Sequence, residues 1–67
     1  MRSERFATNL KKKEFIDILD VSDFYPSTKY HIFYAKKGGI TNPVVGTAKT
    51  LLEAKRKATA FKRKVWN

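Results

Sequence analysis

The chain lacks cysteine and contains a single histidine, His31, among its 67 residues. No disulfide bond can form, and a zinc site built from thiolate or paired histidine ligands is excluded. No apolar run approaches the roughly 20 residues that cross a bilayer, and no apolar segment follows the basic N-terminus as in a secretory signal peptide. We therefore expect a cytoplasmic protein that has no metal ion or other cofactor and no membrane partner.

Acidic residues are also few, since 6 Asp and Glu stand against 15 Lys and Arg and leave a net charge of +9. A basic excess of this size on a small domain favours a polyanionic partner, with nucleic acid ahead of an anionic membrane surface. A surface charged only for solubility is the alternative. His31 has no cysteine partner for nucleophilic catalysis, so we expect no catalytic residues and no enzymatic activity.

What the chain does contain is enough apolar material for one small folded domain. Hydrophobic residues make up 42% of the sequence and aromatic residues 13%, which is more than a disordered tail carries. A chain of this length buries only about 60% of the surface that it exposes on unfolding, so its core is small. We assign residues 1–13, which end in three consecutive lysines, to a basic N-terminal arm and residues 14–67 to the domain.

Three segments of the domain are predicted to be strands. Residues 15–21 are rich in isoleucine and valine, which favours a strand, although their spacing also fits one face of a helix. Residues 29–35 are aromatic and β-branched and give the strongest strand pattern, and the glycine pair at 38–39 then suits a hairpin turn. The third strand is predicted over residues 40–49, with Pro43 marking an edge, a bulge or a late start.

The last third of the chain is predicted to be an amphipathic helix. Thr50 and Glu53 have the spacing of a capping box, in which the threonine oxygen accepts a hydrogen bond from the third helical N–H. One face carries an apolar stripe, while the rest is strongly basic, with seven Lys and Arg in residues 49–64. The stripe consists of Leu51, Ala54, Ala58, Phe61 and Val65. Its alanines should let the helix axis lie close to a sheet.

Together these elements predict an α+β fold, in which a three-stranded antiparallel sheet packs against one C-terminal helix and is preceded by the basic arm. Its motifs are the aromatic strand at 30–34, the glycine pair at 38–39, the strand at 44–47 and the threonine-capped start of an alanine-rich helix at 50–54. From about residue 28 onward, this pattern resembles the arm-type DNA-binding domain at the N-terminus of tyrosine recombinases, the integrases of phages and transposons. The resemblance implies that the outward sheet face lies in the DNA major groove. It also implies a phage or mobile-element accessory factor.

The predicted function is therefore nucleic-acid binding through phosphates, with double-stranded DNA favoured and DNA ahead of RNA. The candidate phosphate contacts are basic residues of the arm, of the predicted hairpin and of the helix side opposite the apolar stripe: Lys11, Lys12, Lys13, Lys36, Lys37, Arg56 and Arg63. Side chains alternate along a strand, so His31 and Phe33 share one face of the second strand and Tyr30 and Tyr34 the other. The sequence leaves open which of the two faces covers the helix. His31, Phe33 and Trp66 are the candidate aromatic contacts, although aromatic residues more often pack in a core.

The alternative function is a protein-binding effector, such as a small phage-encoded protein that inhibits or redirects a host enzyme by docking on an acidic surface. Small size, basic charge and exposed aromatic residues suit this function equally well. Competition separates the two functions, because heparin displaces a nucleic-acid binder, whereas an effector retains one stoichiometric protein partner after nuclease treatment.

Overall fold

The computed structural model describes residues 2–36 and 44–66. Within these residues the chain forms four strands and one helix: β1 (Arg2–Asn9), β2 (Glu14–Asp20), β3 (Tyr30–Lys36), β4 (Val44–Ala48) and α1 (Leu51–Trp66). The strands form one antiparallel sheet in the order β1-β2-β3-β4, and α1 packs across one of its faces. The predicted α+β fold with a C-terminal helix is confirmed, whereas the prediction of three strands is corrected to four.

The additional strand, β1, lies in the segment that we assigned to a basic arm, and the structure does not show an arm over residues 2–13. The three lysines form part of the turn from β1 to β2, where Asn9 Oδ1 accepts a hydrogen bond from the backbone N–H of Lys12 at 3.0 Å. Lys13 follows with a φ of 56°, a left-handed conformation typical of turns. Phe6 anchors β1 because its side chain packs against the core. The three consecutive lysines therefore belong to a hairpin turn between two strands and not to an extended arm.

The other predicted strands agree with the structure where it describes them. The segment at 15–21 forms β2 and the segment at 29–35 forms β3, each within a residue of the predicted bounds. Of the third predicted strand, residues 44–48 form β4. Residues 40–43 lie outside the described residues, and so does the predicted glycine turn at 38–39.

The core lies between α1 and the face of the sheet that carries Ile16, Ile18 and Ile32. Ile16 and Ile32 are almost fully buried, at 0% and 1% exposure. Ala54 and Ala58 are buried in the first half of the helix, and their small side chains let its axis approach the sheet closely. A core with so few large side chains depends on close packing around each isoleucine.

The helix begins where the predicted capping box places its start. Thr50 Oγ1 accepts a hydrogen bond from the backbone N–H of Glu53 at 3.1 Å. The carboxylate of Glu53 pairs instead with Lys57, one turn further along the helix, at 3.2 Å. The threonine half of the capping box is therefore confirmed, and the acid supports the first turn through an i,i+4 ion pair.

The opposite side of the sheet, called the open face below, is not covered by any described element. Side chains alternate along each strand, so every second residue turns away from α1. The strand register groups the open-face residues as Ser3, Arg5 and Thr8 of β1, Phe15, Asp17 and Leu19 of β2, His31, Phe33 and Ala35 of β3, and Val44 and Thr47 of β4. Tyr30 and Tyr34 pack against the core on the helix side. His31 and Phe33 therefore belong to the open face.

Candidate nucleic-acid interface

Three basic segments of the chain meet at one end of the molecule. The β1–β2 turn and the last residue of β3 lie at the same end of the sheet, because Glu14 at the start of β2 pairs with Lys36. The last turn of α1 also lies there, since Lys12 Nζ donates a hydrogen bond to the backbone carbonyl of Val65 at 3.5 Å. We call this group the basic end: Lys11, Lys12, Lys13, Lys36, Lys62, Arg63 and Lys64, all with exposed side chains.

The basic end brings together five of the seven predicted phosphate contacts, namely Lys11, Lys12, Lys13, Lys36 and Arg63. Lys37 lies outside the described residues. Arg56 is exposed on α1 but precedes Arg63 by two helical turns, about 10 Å along the axis, so it lies apart from this group. Lys62 and Lys64 were missing from the predicted set, because the sequence did not indicate that the helix end would meet the β1–β2 turn.

The acid at this end, Glu14, is held by two hydrogen-bond donors. Its Oε1 accepts hydrogen bonds from the Tyr34 hydroxyl at 2.7 Å and from the Trp66 indole N–H at 2.9 Å. These hydrogen bonds lower the pKa of Glu14, and the charges of Lys36 and Lys12 lower it further. Burial, together with the hydrogen bond to Glu14, raises the pKa of Tyr34 to about 12. Glu14 therefore stays ionised near neutral pH and links β2, β3 and α1 beneath the basic end.

Trp66 was predicted as an aromatic contact, and the structure places it on the helix side of the sheet. Its side chain is half-buried against the core, and its N–H is donated to Glu14. Tyr34, the other donor to Glu14, packs edge-on against Phe61 with ring centroids 5.0 Å apart. Packing at the helix end explains the position of Trp66, and its contact with a ligand stays a prediction.

The open face contains His31 and Phe33, the other two predicted aromatic contacts, and both are half-buried. It also contains contacts of Arg5 with Phe15 and Asp17 that were not among the predicted ones. The guanidinium of Arg5 lies over the Phe15 ring, 3.9 Å from its centroid, and Arg5 Nε donates a hydrogen bond to Asp17 Oδ1 at 2.5 Å. The strand pattern of β1 alone would not have revealed these contacts, because an irregularity between Arg5 and Ala7 shifts the register and brings Arg5 opposite Asp17.

The loop between β2 and β3 brings another aromatic ring to the same face. The backbone N–H groups of Phe24 and Tyr25 donate to the carbonyl of Val21 at 2.9 and 2.8 Å, which closes a tight turn. The Tyr25 ring then packs against His31, with centroids 5.0 Å apart and planes tilted by 37°. Thr28 Oγ1 lies 3.5 Å from His31 Nε2, at the limit of a hydrogen bond.

Several acids lie at the end of the sheet opposite the basic end. Asp20 ends β2 and accepts hydrogen bonds from the backbone N–H and the hydroxyl of Ser22, at 3.0 and 2.7 Å. Asp23 is exposed in the loop that follows, and Glu53 lies in the first turn of α1. Exposed lysines at this end, Lys29, Lys49 and Lys55, offset the charge of these acids. Because the basic end carries seven exposed Lys and Arg and one acid, the charge distribution favours the approach of a polyanion from the basic end.

Comparison with protein-family models, with curated proteins and with solved structures finds no match for this chain. The resemblance to recombinase arm domains stays a prediction that rests on the sequence motifs. Over residues 2–36 and 44–66, no helix is long and apolar enough to cross a membrane. Function therefore has to be inferred from the surfaces of the chain itself.

Proposed function

We propose that this protein binds nucleic acid without catalysing a reaction, that DNA is preferred to RNA, and that the basic end contacts the phosphates of a duplex. The observation that carries this proposal is the convergence of the β1–β2 turn, the end of β3 and the end of α1. Seven exposed Lys and Arg residues lie there beside a single described acid, Glu14, whose carboxylate accepts two hydrogen bonds from within the protein. Long, exposed lysine and arginine side chains suit phosphate contacts that carry no sequence preference of their own.

The salt dependence of the binding affinity reports how many phosphates the protein contacts. Each phosphate that the protein neutralises releases condensed counterions, so the logarithm of the affinity falls by about 0.9 per contact for each decade of salt. If several Lys and Arg side chains of the basic end contact phosphates at once, the affinity for duplex DNA should fall steeply between about 50 and 200 mM salt.

Fluorescence anisotropy of labelled duplex DNA at these two salt concentrations tests the proposal. The test variant replaces Lys11, Lys13 and Lys36 by alanine, and Lys12 is left intact because its side chain holds Val65. We expect weaker binding and a salt slope shallower by up to about 2.7.

The matched control removes the same charge from the opposite end of the molecule. Lys29, Lys49 and Lys55 are exposed and lie at the β2–β3 loop, after β4 and near the start of α1. Replacing these three by alanine should lower affinity less and leave the salt slope nearly intact. Equal effects of the two triple variants would show diffuse attraction to net charge instead of a binding end. Absence of binding at low salt would overturn the proposal.

The second candidate function, an effector that docks on an acidic protein surface, is favoured by a groove between β4 and α1. The groove has a volume of about 410 Å³, an apolar floor that includes Val45 and Phe61, and two lysines in its lining, Lys57 and Lys64. The Lys57 ammonium already pairs with Glu53 and donates to the Thr47 carbonyl, so an acidic protein segment with an apolar side chain would pair with Lys64. A single stoichiometric partner that survives nuclease and heparin would favour this function over DNA binding. Because Lys64 belongs to both the groove and the basic end, loss of the partner with Lys64→Glu assigns it to the groove only if the triple variant at Lys11, Lys13 and Lys36 retains it.

A further inference from the structure

The open face has its first stacking surface beside β1. The hydrogen bond to Asp17 fixes the guanidinium of Arg5 over the Phe15 ring, and 51% of the Arg5 side chain remains exposed. A guanidinium is planar and delocalised, so it can stack on an aromatic ring on one side and on a nucleic-acid base on the other. Arg5 and Phe15 thus form a surface for one base.

Two more ring systems follow on β3. Phe33 lies opposite Asp17 in the register, so it is one strand further across the sheet from the pair at Arg5. His31 lies on the same face two residues earlier, about 6.6 Å along the strand. Its partner Tyr25 is 53% exposed. Three stacking positions therefore lie side by side on the open face: Arg5 on Phe15, then Phe33, then Tyr25 on His31.

The charge of the described open face does not repel a nucleic-acid strand. Asp17 is the one acid on the described part of this face, and its charge is offset by Arg5. Thr8 and Phe15 form the last open-face pair before the β1–β2 turn. A strand that crosses the open face therefore continues towards the lysines of that turn, which belong to the basic end.

We propose that the open face stacks the bases of unpaired nucleotides, so that the preferred ligand is DNA in which a single strand leaves the duplex held at the basic end. This inference rests on the proposed DNA binding. Bases inside a duplex stack on one another and offer only their edges in the grooves. Unpaired bases expose their flat faces, on which aromatic side chains stack with little sequence preference. The open face carries several aromatic rings, and the guanidinium of Arg5 is already hydrogen-bonded to Asp17. It is therefore better suited to stacking on the flat faces of nucleic-acid bases than to hydrogen bonding with their edges.

Anisotropy with three labelled DNAs tests this inference: a blunt duplex, the same duplex with a thymidine overhang, and the overhang strand alone. We expect the overhang duplex to bind roughly 100-fold more tightly than the blunt duplex, the effect of two or more stacked bases. Tyr25→Ala and Phe33→Leu should each reduce this gain about 10-fold, the effect of one stacked base. Leu52→Ala is the control, because it removes a side chain that is 62% exposed on α1, and it should leave the gain intact.

The outcomes separate this inference from the proposed function. If none of the three DNAs binds at low salt, both are overturned. If the blunt and overhang duplexes bind equally, or if the gain survives Tyr25→Ala and Phe33→Leu, stacking on the open face is wrong while DNA binding at the basic end stands. Thermal melting checks that each variant is folded. Tyr25 is an exposed loop residue, so Tyr25→Ala decides the question even if Phe33→Leu fails to fold.

Discussion

Replacing Thr50 by alanine tests the start of α1, the helix that completes the core and carries three residues of the basic end. Thr50 Oγ1 accepts the N–H of Glu53 at 3.1 Å, while the Thr50 carbonyl accepts the N–H of Ala54 at 3.0 Å. Alanine keeps the second hydrogen bond and loses the first. The substitution therefore isolates the contribution of a single side-chain oxygen to the stability of the fold.

The expected loss is about 1 kcal/mol, the usual cost of removing a threonine cap. The freed N–H lies in an exposed first turn and can bond to water, so no desolvation penalty adds to this figure. At about 0.05–0.15 kcal/mol per residue, a chain of 67 residues has a free energy of unfolding of about 3–10 kcal/mol. Thr50→Ala should therefore remove roughly a tenth to a third of it and lower the melting temperature by about 4–8 °C.

Thermal unfolding followed by far-UV circular dichroism measures this effect in the wild type, Thr50→Ala and Thr50→Ser. Serine keeps an oxygen at the cap position, so Thr50→Ser should melt close to the wild type. Unchanged melting of Thr50→Ala would refute the capping role. Equal losses for alanine and serine would also refute it, because they would assign the effect to the threonine methyl group.

Three further predictions concern the core and the basic end. Ile16→Val removes one methylene from a fully buried side chain and should cost about 0.5–1.5 kcal/mol in urea unfolding with an unchanged m value; no loss would mean a loosely packed site. Ala58→Leu should destabilise the fold by about 1–3 kcal/mol, because it forces a larger side chain between helix and sheet; wild-type stability would contradict that packing. Glu14 has a folded-state pKa below its ordinary 4.5, so its ionised form stabilises the fold above that pH, and this stability is lost as pH falls through the folded pKa. Trp66→Phe removes one donor and should weaken this acid dependence of the urea midpoint, whereas identical pH profiles would show that the indole bond contributes nothing.

The helix was predictable from the sequence because its signals are local. The cap at Thr50 and the apolar spacing of Ala54 and Ala58 act within a few turns of the same helix, and each has the predicted place in the structure. β1 was not predictable in this way, because it carries few apolar residues and is stabilised by its pairing with β2 over residues 14–20. Edge strands of this kind owe their conformation to tertiary contacts that a single segment does not reveal.

For the candidate surfaces too, the sequence indicates single residues, whereas tertiary contacts decide which of them lie together. Charge identified lysines such as Lys12 and Lys36, but their meeting depends on a hairpin turn and on the hydrogen bond from Lys12 to the end of the helix. The contact between Arg5 and Phe15 depends entirely on strand register, since the two residues lie in different strands. Composition can thus suggest that a polyanion binds, while the fold determines which basic side chains and which aromatic rings lie close enough together to contact it.

The basic end and the open face would act on DNA through different physics, and this makes them separable by experiment. Phosphate contacts release counterions, so loss of Lys11, Lys13 or Lys36 should lower the affinity for every DNA and reduce the salt slope. Stacking places a neutral base against a ring and releases no comparable counterions. Loss of the ring at Tyr25 should therefore lower affinity only for DNA with unpaired bases and leave the salt slope unchanged. A variant that changes both quantities together would mean that the two surfaces form one site, with the phosphates of the unpaired strand as part of the contact.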